Sequence, residues 1–539
     1  MATNTMLDIQ LHKNINTYNY STTFIAILLS RIKKKSLFDE LNNYIPILSK
    51  YKDILSHIEK NIIENELNGA SITIQLPKVK KLVCKSSHKK TKKYIDTLNL
   101  HQLYIVIIND VNKNNIELMD LARNCGYQIY MAMKTNVIKD MNLVDTVCEF
   151  NFINCIMEGL LLSAYNFSKY KTIKDKKEFN IGTIHIVSTE CDHMNNSSIL
   201  NKKNKINNLL DEIHSVYLAR DLINEPANQN KSKMVIDVIK QEIQKYKLPI
   251  TIEILEQDKL REENLNLLLG VGQGSNEMNK PKLILLKYHG NKLKNPEYVL
   301  IGKGITYDTG GLDLKREMLG MKTDLSGAVT VMAFLLGYAK MKGNKNIYTV
   351  CPFAENSIGP DSIKAGDVIK SHSGKTVEIT DTDAEGRLIL ADTISWCSTK
   401  WENAQYIDFA TLTGQQEKLS CKVFSNVMGS NSDYVIKKLI NDGEKINESL
   451  VYIPLFENKF IGKLESKVAD IKNVSSSCNA DMILAAVFIK QFIKNTIKWI
   501  HIDFAGPIYK LNNNDTNKYM IGEASGIGVR LLFEFFDNL

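Results

Sequence analysis

The segment Val377–Leu390, VEITDTDAEGRLIL, places Asp381, Asp383, Glu385 and Arg387 within seven residues, between a strand-like apolar run and a helix-like one. Carboxylates crowded at one turn repel each other, and holding them together is costly. A divalent cation removes that cost, so the segment asks for a metal.

The remaining chain bounds what such a site can belong to. At 539 residues it has room for two or three domains and a large core. The 44% apolar and 24% charged content is ordinary for a globular protein. No run of eighteen apolar residues marks a membrane span, and the start MATNTMLDIQ lacks a signal-peptide pattern. Nine scattered cysteines without a CxxC pair argue for reduced thiols in a cytoplasmic setting. Charge is uneven. Residues 1–205 hold 28 Lys+Arg and 19 Asp+Glu, a balance of +9, whereas the rest holds 40 and 41, a balance of −1. The two parts are expected to be different domains.

In the front part, Leu103–Ile108 and Ile181–Val187 read as strands and Cys148–Tyr165 as a helix. The polar stretch Asn195–Asn208 reads as a linker. In the back part, Tyr298–Ile301, Ile347–Val350, Val377–Thr380, Tyr406–Ala410 and Trp499–Phe504 read as buried strands. Ala328–Lys340, Leu388–Ser398 and Met482–Ile493 read as helices between them. The expected fold is α/β in two domains, with chemistry at the carboxyl ends of strands. A smaller N-terminal α/β domain spans 1–194 and a linker 195–215. A larger catalytic domain spans 216–539, with a central mixed sheet flanked by helices.

Val299–Lys315, VLIGKGITYDTGGLDLK, runs from a strand into a Gly-rich loop that holds Lys303 and Asp308. No GK[ST] follows at phosphate-loop spacing. Met321–Ala328, MKTDLSGA, sets Asp324 just before a helical run. Three strand ends are thus expected to deliver carboxylates, which suit Zn²⁺, Mn²⁺ or Mg²⁺. Four carboxylates exceed the need of one ion and suggest two. No HExxH is present, which excludes a zincin mechanism.

At these residues the chain resembles the leucine aminopeptidase (cytosol aminopeptidase) family from about Ala219 onward. GKGITYDTGG, MKTD, TDAEGRLILAD, FATLTG, HIDFAG and ARDLINEPAN carry the likeness. The resemblance implies that Lys303, Asp308, Asp324, Asp383 and Glu385 bind two divalent ions, with Asp308 and Glu385 bridging. Zn²⁺ or Mn²⁺ is expected, with Co²⁺ or Mg²⁺ as alternatives. A lysine ligand must lose a proton from a group of pKa about 10.4 in water. The resemblance further implies that Lys315 polarises the scissile carbonyl and that Arg387 holds a bicarbonate ion as proton acceptor. Met321, Thr411, Gly414, Ala505 and Ile508 would line the pocket for the N-terminal side chain, preferring Leu or Met. A homo-hexamer with interior active sites, peptide substrates and a cytoplasmic location complete the implied picture.

Three departures stand out. Asp381 replaces the usual Asn, Gln415 replaces a small residue, and the loop from Lys315 to Asp324 is short. Arg387 could instead pair with Asp383 or Glu385, and His501 reads as a structural partner. Lys78–Lys93 holds eight lysines and reads as a solvated loop or a nucleic-acid patch without interleaved aromatics. The alternative function is therefore a nucleic-acid-binding relative with secondary or absent peptidase activity.

Overall fold

The computed structural model describes strands 8–12, 22–28, 71–75 and 102–108, and residues 115–145, 150–172, 179–188, 196–229, 231–475, 477–508, 518–520, 524–537 and 539. The lysine run 78–93 lies outside the described residues. Two compact units divide the chain, 1–210 with 515–521 and 211–514 with 522–539.

The first unit contains a six-stranded sheet. Its strands are β1 (Asp8–His12), β2 (Thr22–Leu28), β3 (Ser71–Gln75), β4 (Gln102–Ile108), β5 (Met141–Asp145) and β6 (Thr183–Ser188), in the order β1-β6-β5-β2-β4-β3. All pairs are parallel except β3 with β4. Helices Asn115–Asn136 and Phe150–Ser163 pack on each other and share the buried Arg123–Glu158 bridge at 2.7 Å. This is the α/β pattern expected of the front part.

The stretch read as a linker is helical, part of Asn196–Asn224. Its Lys and Asn content hides a buried stripe, Ile206, Leu209, Ile213 and Val216, at helical spacing.

The second unit carries a nine-stranded mixed sheet. Its strands are β7 (Ile250–Leu255), β8 (Lys282–Tyr288), β9 (Tyr298–Gly302), β10 (Gly304–Asp308), β11 (Ile347–Asn356), β14 (Gln405–Ala410), β15 (Ser425–Ser430), β16 (Leu450–Tyr452) and β18 (Lys498–Asp503). The order is β16-β15-β18-β14-β9-β11-β8-β7, with β10 paired to β11. Strand β9 is central, parallel to both β11 and β14. It is buried on both faces, so its run YVLIG is apolar throughout rather than alternating. Val299 and Ile301 face the cluster that includes helix Glu385–Lys400. Tyr298 faces the other way and packs on Phe536 at 4.9 Å between ring centres. On that second face lies helix Ser326–Lys340, almost wholly buried beneath helix Val529–Asp537.

One expected strand belongs elsewhere. Val377–Thr380 shortens to β13 (Thr376–Glu378) and joins β12 (Val368–Lys370) and β17 (Ile471–Lys472) in a separate three-stranded sheet. Only Val377 of β13 is fully buried, because Thr376 and Glu378 alternate to the opposite face of the sheet. Helices Glu385–Lys400 and Asp481–Lys490 occupy the positions read for them, with shifted ends. Among the described residues no helix is long and apolar enough to cross a membrane.

Candidate metal centre

Chain order runs from β9 and β10 through helix Ser326–Lys340 to β11 on one side of β9, and then, after helix Glu385–Lys400, to β14 on its other side. Strand order reverses at its carboxyl end, the place where α/β sheets open a crevice. A single residue, Lys303, separates β9 from β10 there. Its N–H donates to the Phe409 carbonyl at 3.0 Å, and its carbonyl accepts from Ala328 N at 2.9 Å. The backbone is thus fixed between β14 and a helix start. The side chain continues the face of Val299 and Ile301, toward helix Glu385–Lys400. Nζ lies 2.9 Å from Asp324 Oδ1 and 2.9 Å from Glu385 Oε1, and donates to the Thr411 carbonyl at 3.0 Å. Room for it depends on Gly386, where a Cβ would stand 2.7 Å from Nζ.

Asp308 ends β10, and its Oδ2 is 2.8 Å from Lys315 Nζ. Lys315 also contacts Asp383 Oδ1. Asp308, Asp383 and Glu385 each offer an oxygen within 4.8 Å of the others. The last residue of β11, Asn356, ties them together. Its Nδ2 donates to Asp308 Oδ1 at 2.8 Å and to the Thr382 carbonyl at 3.1 Å, with Glu385 Oε2 at 3.4 Å. Thr382 donates from Oγ1 to the Gly310 carbonyl at 2.7 Å and accepts from Asp313 N at 2.8 Å, joining the Gly-rich loop to the acidic turn.

Only Asp308 ends a strand of the large sheet, which corrects the expectation of three such ends. Asp324 sits in the short 3₁₀ helix Met321–Leu325, Asp383 in a turn, and Glu385 opens a helix. A carboxylate at a helix start also meets the positive end of the helix dipole.

Four carboxylates face two ammonium groups, so with every group ionised the cluster would carry two net negative charges. Burial penalises the charge on Lys303 and Lys315, but the adjoining carboxylates outweigh it and push both groups up. Burial and mutual repulsion push Asp324 and Glu385 above the usual carboxylate range, against the pull of Lys303. Asp383 is pushed up to about 7 by burial, then by Asp308 and Glu385. Asp324 Oδ2 is buried without a partner. Surplus negative charge, an unpartnered buried oxygen and an all-oxygen set with one amine fit hard or borderline dications.

The remaining predicted residues are placed as follows. Asp381 Oδ1 accepts from Asp383 N at 2.8 Å and so shapes the turn. Arg387 does not pair with Asp383 or Glu385. Nη1 donates to the Asn473 carbonyl at 3.1 Å, Nη2 to Asp481 Oδ1 at 2.8 Å, and Nε has no partner. Met321 heads the helix that carries Asp324. Thr411 Oγ1 donates to Asp324 Oδ1 at 2.7 Å, the direct link between the expected pocket and the carboxylates. Gly414 is exposed, and an added Cβ there would meet nothing within 4 Å. Ala505 N donates to Asp503 Oδ1 at 3.3 Å, and Ile508 is fully buried. His501 is buried, with Nδ1 2.5 Å from Asp408 Oδ1. Asn356, Thr382 and Asp481 were not foreseen. Each meets partners distant in sequence; Thr382 opens the TDAEGRLILAD motif, and no such motif marks Asn356 or Asp481.

A mixed α/β sheet with this cluster at its switch point is an arrangement that can hold divalent ions. Residues 217–533 match the cytosol aminopeptidase family, catalytic domain. A probable cytosol aminopeptidase of Protochlamydia amoebophila is 34% identical over 83% of this chain and 87% of its own. The cytosol aminopeptidase of Rickettsia prowazekii is 31% identical over 92% of this chain and 93% of its own. In fold, the chain is similar to a mutant of tomato leucine aminopeptidase, with TM-score 0.76, 22% identity and coverage of 99% of this chain and 97% of that one. It is likewise similar to the bottromycin maturation enzyme BotP in complex with Mn, with TM-score 0.72, 21% identity and coverage of 96% and 99%. The chain belongs to the cytosol aminopeptidase family and is a metal-dependent aminopeptidase.

Proposed function

We propose that the chain removes apolar N-terminal residues, Leu or Met foremost, from peptides, using two divalent ions held by Lys303, Asp308, Asp324, Asp383 and Glu385. The observation that carries this reading is the convergence of those five donors and Lys315 at the end of β9. Zn²⁺ or Mn²⁺ fits the set best, with Co²⁺ or Mg²⁺ also compatible. Two bound dications supply the positive charge that draws a free α-amine and lowers the pKa of water toward neutrality.

The protein groups divide the remaining work. Lys315 keeps its proton among carboxylates that outweigh its burial, so it can donate to the scissile carbonyl and to the developing oxyanion. Arg387 is an anion anchor, and the family likeness names bicarbonate as the anion and proton acceptor that such an arginine holds. Asn356 orients Asp308 and Glu385, a role worth about 10–100-fold in metal affinity. Met321, Thr411, Gly414, Ala505 and Ile508 form the side-chain pocket. Family membership supports the expectation of a homo-hexamer in the cytoplasm.

A panel of aminoacyl anilides tests the reading. The highest kcat/KM is expected for Leu or Met, with charged residues about tenfold or more lower. N-acetyl-leucyl anilide is expected to remain intact. Equal cleavage of blocked and free substrates would rule out recognition of the α-amine.

A further inference from the structure

The Arg387 guanidinium is only 3% exposed, yet its counter-charge comes from a separate segment. Asp481 supplies it at 2.8 Å, with its own side chain 41% exposed. Asp481 opens the helix Asp481–Lys490, where a first-turn carboxylate is favourable. One residue brackets this segment. Gln415 Nε2 donates to the Asn479 carbonyl, two residues before Asp481, and its Oε1 accepts from Met482 N, one residue after, at 2.9 Å. The two ends of one amide thus fix the backbone on both sides of the carboxylate. Gln415 is also a departure from the family pattern, and this clamp gives it a purpose.

We propose that Asp481 is the built-in counter-ion of Arg387, filling with a side-chain carboxylate the place where the arginine would otherwise recruit a small oxyanion from solution. Gln415 keeps it there. The proposal rests on the reading of Arg387 as an anion anchor and deepens it. A bicarbonate ion, a formate ion and an aspartate each offer an anionic oxygen to a guanidinium, here Asp481 Oδ1 to Nη2, and charge-assisted bonds of this kind are strong and directional. A buried guanidinium left without an anion is costly. Asp481 is accordingly a positioning residue. It holds and neutralises Arg387, and makes the enzyme indifferent to dissolved bicarbonate.

The test compares wild type with Asp481→Ala in carbon-dioxide-depleted buffer, with sodium bicarbonate or sodium chloride added at equal ionic strength. Two readouts are taken: leucyl-anilide hydrolysis by the metal-loaded full chain, and thermal melting of the metal-free full chain. Wild type is expected to be unmoved by bicarbonate in both. Asp481→Ala is expected to lose about tenfold in rate, the scale of one hydrogen bond to a charged group. Bicarbonate or formate should restore the rate and raise the melting temperature of this variant. Adding Arg387→Ala to it should abolish the response. If Asp481→Ala fails to fold, Asp481→Asn keeps the acceptor without the charge and should respond in the same direction. Stimulation of wild type as strong as that of the variant would overturn the proposal, as would a variant silent in both readouts. If no metal supports hydrolysis, the aminopeptidase reading fails, while the melting of the metal-free protein still decides the role of Asp481.

Discussion

Asp383→Ala is expected to abolish turnover while leaving the chain folded. Asp383 shares the carboxylate cluster with Asp308 and Glu385 and touches Lys315, so its loss removes a metal ligand and leaves the lysine with Asp308 alone of its two carboxylate contacts. Metal-ion catalysis contributes several kcal/mol of transition-state stabilisation. At 1.36 kcal/mol per decade the drop in kcat/KM should reach about a thousandfold or more. The fold does not need this carboxylate. Its pKa stands at about 7 rather than 3.8, so the metal-free protein holds the proton more tightly than the unfolded chain does. For an acid raised in this way, stability is fullest below the unfolded pKa and declines as pH rises from about 4 to about 7. Asp383→Ala should therefore melt no lower than wild type at neutral pH without metal, and should show a smaller decline, since Asp324 and Glu385 are also raised. Asp381→Asn is the contrasting change. An amide oxygen can still accept from Asp383 N, so the turn and most of the activity should survive. Steady-state rates and pH-dependent melts of both variants check the pair. A near-wild-type rate for Asp383→Ala would remove it from the metal set.

Gly327→Ala is expected to destabilise the catalytic unit by about 3 kcal/mol, the upper part of the range for overpacking a tight core. In an ordinary helix the same change stabilises, because alanine loses less backbone entropy than glycine. Here an added Cβ would stand 2.1 Å from the Phe409 carbonyl oxygen and 2.7 Å from Lys303 N. Both are backbone atoms of the β14–β9 seam and cannot swing aside. The helix start must retreat, and that strains the bond from Ala328 N to the Lys303 carbonyl. Activity should fall along with stability, since Lys303 moves with its backbone. Denaturant unfolding and rate measurement on one preparation settle the sign. A stabilised, fully active Gly327→Ala would mean that the helix does not meet the strand this closely.

The parts of the site legible from sequence are those carried on continuous segments. Lys303 and Asp308 share one Gly-rich loop, Asp324 precedes a helical run, and Asp383 and Glu385 sit in one turn. The central strands were equally plain, because strands buried on both faces are apolar throughout. What escaped depends on distant partners. VEIT reads as a buried strand in isolation, but β12 and β17 draw β13 into a small separate sheet. Asn356 looks like any strand-end asparagine until Asp308 and Thr382 arrive beside it. The polar stretch before Asn208 has a loop-like composition, and only its buried stripe shows the helix. The Arg387–Asp481 pair spans 94 positions, and nothing local in either segment announces it.

The most direct measurement is metal titration of leucyl-anilide hydrolysis. Protein stripped by a chelator receives Zn²⁺, Mn²⁺ or Co²⁺ in stepwise equivalents while rate and bound metal are recorded together. The expected result is no turnover without metal, then a rise that levels when two ions are bound per chain. Undiminished turnover after stripping, or no turnover with any of these ions, would contradict a two-metal aminopeptidase.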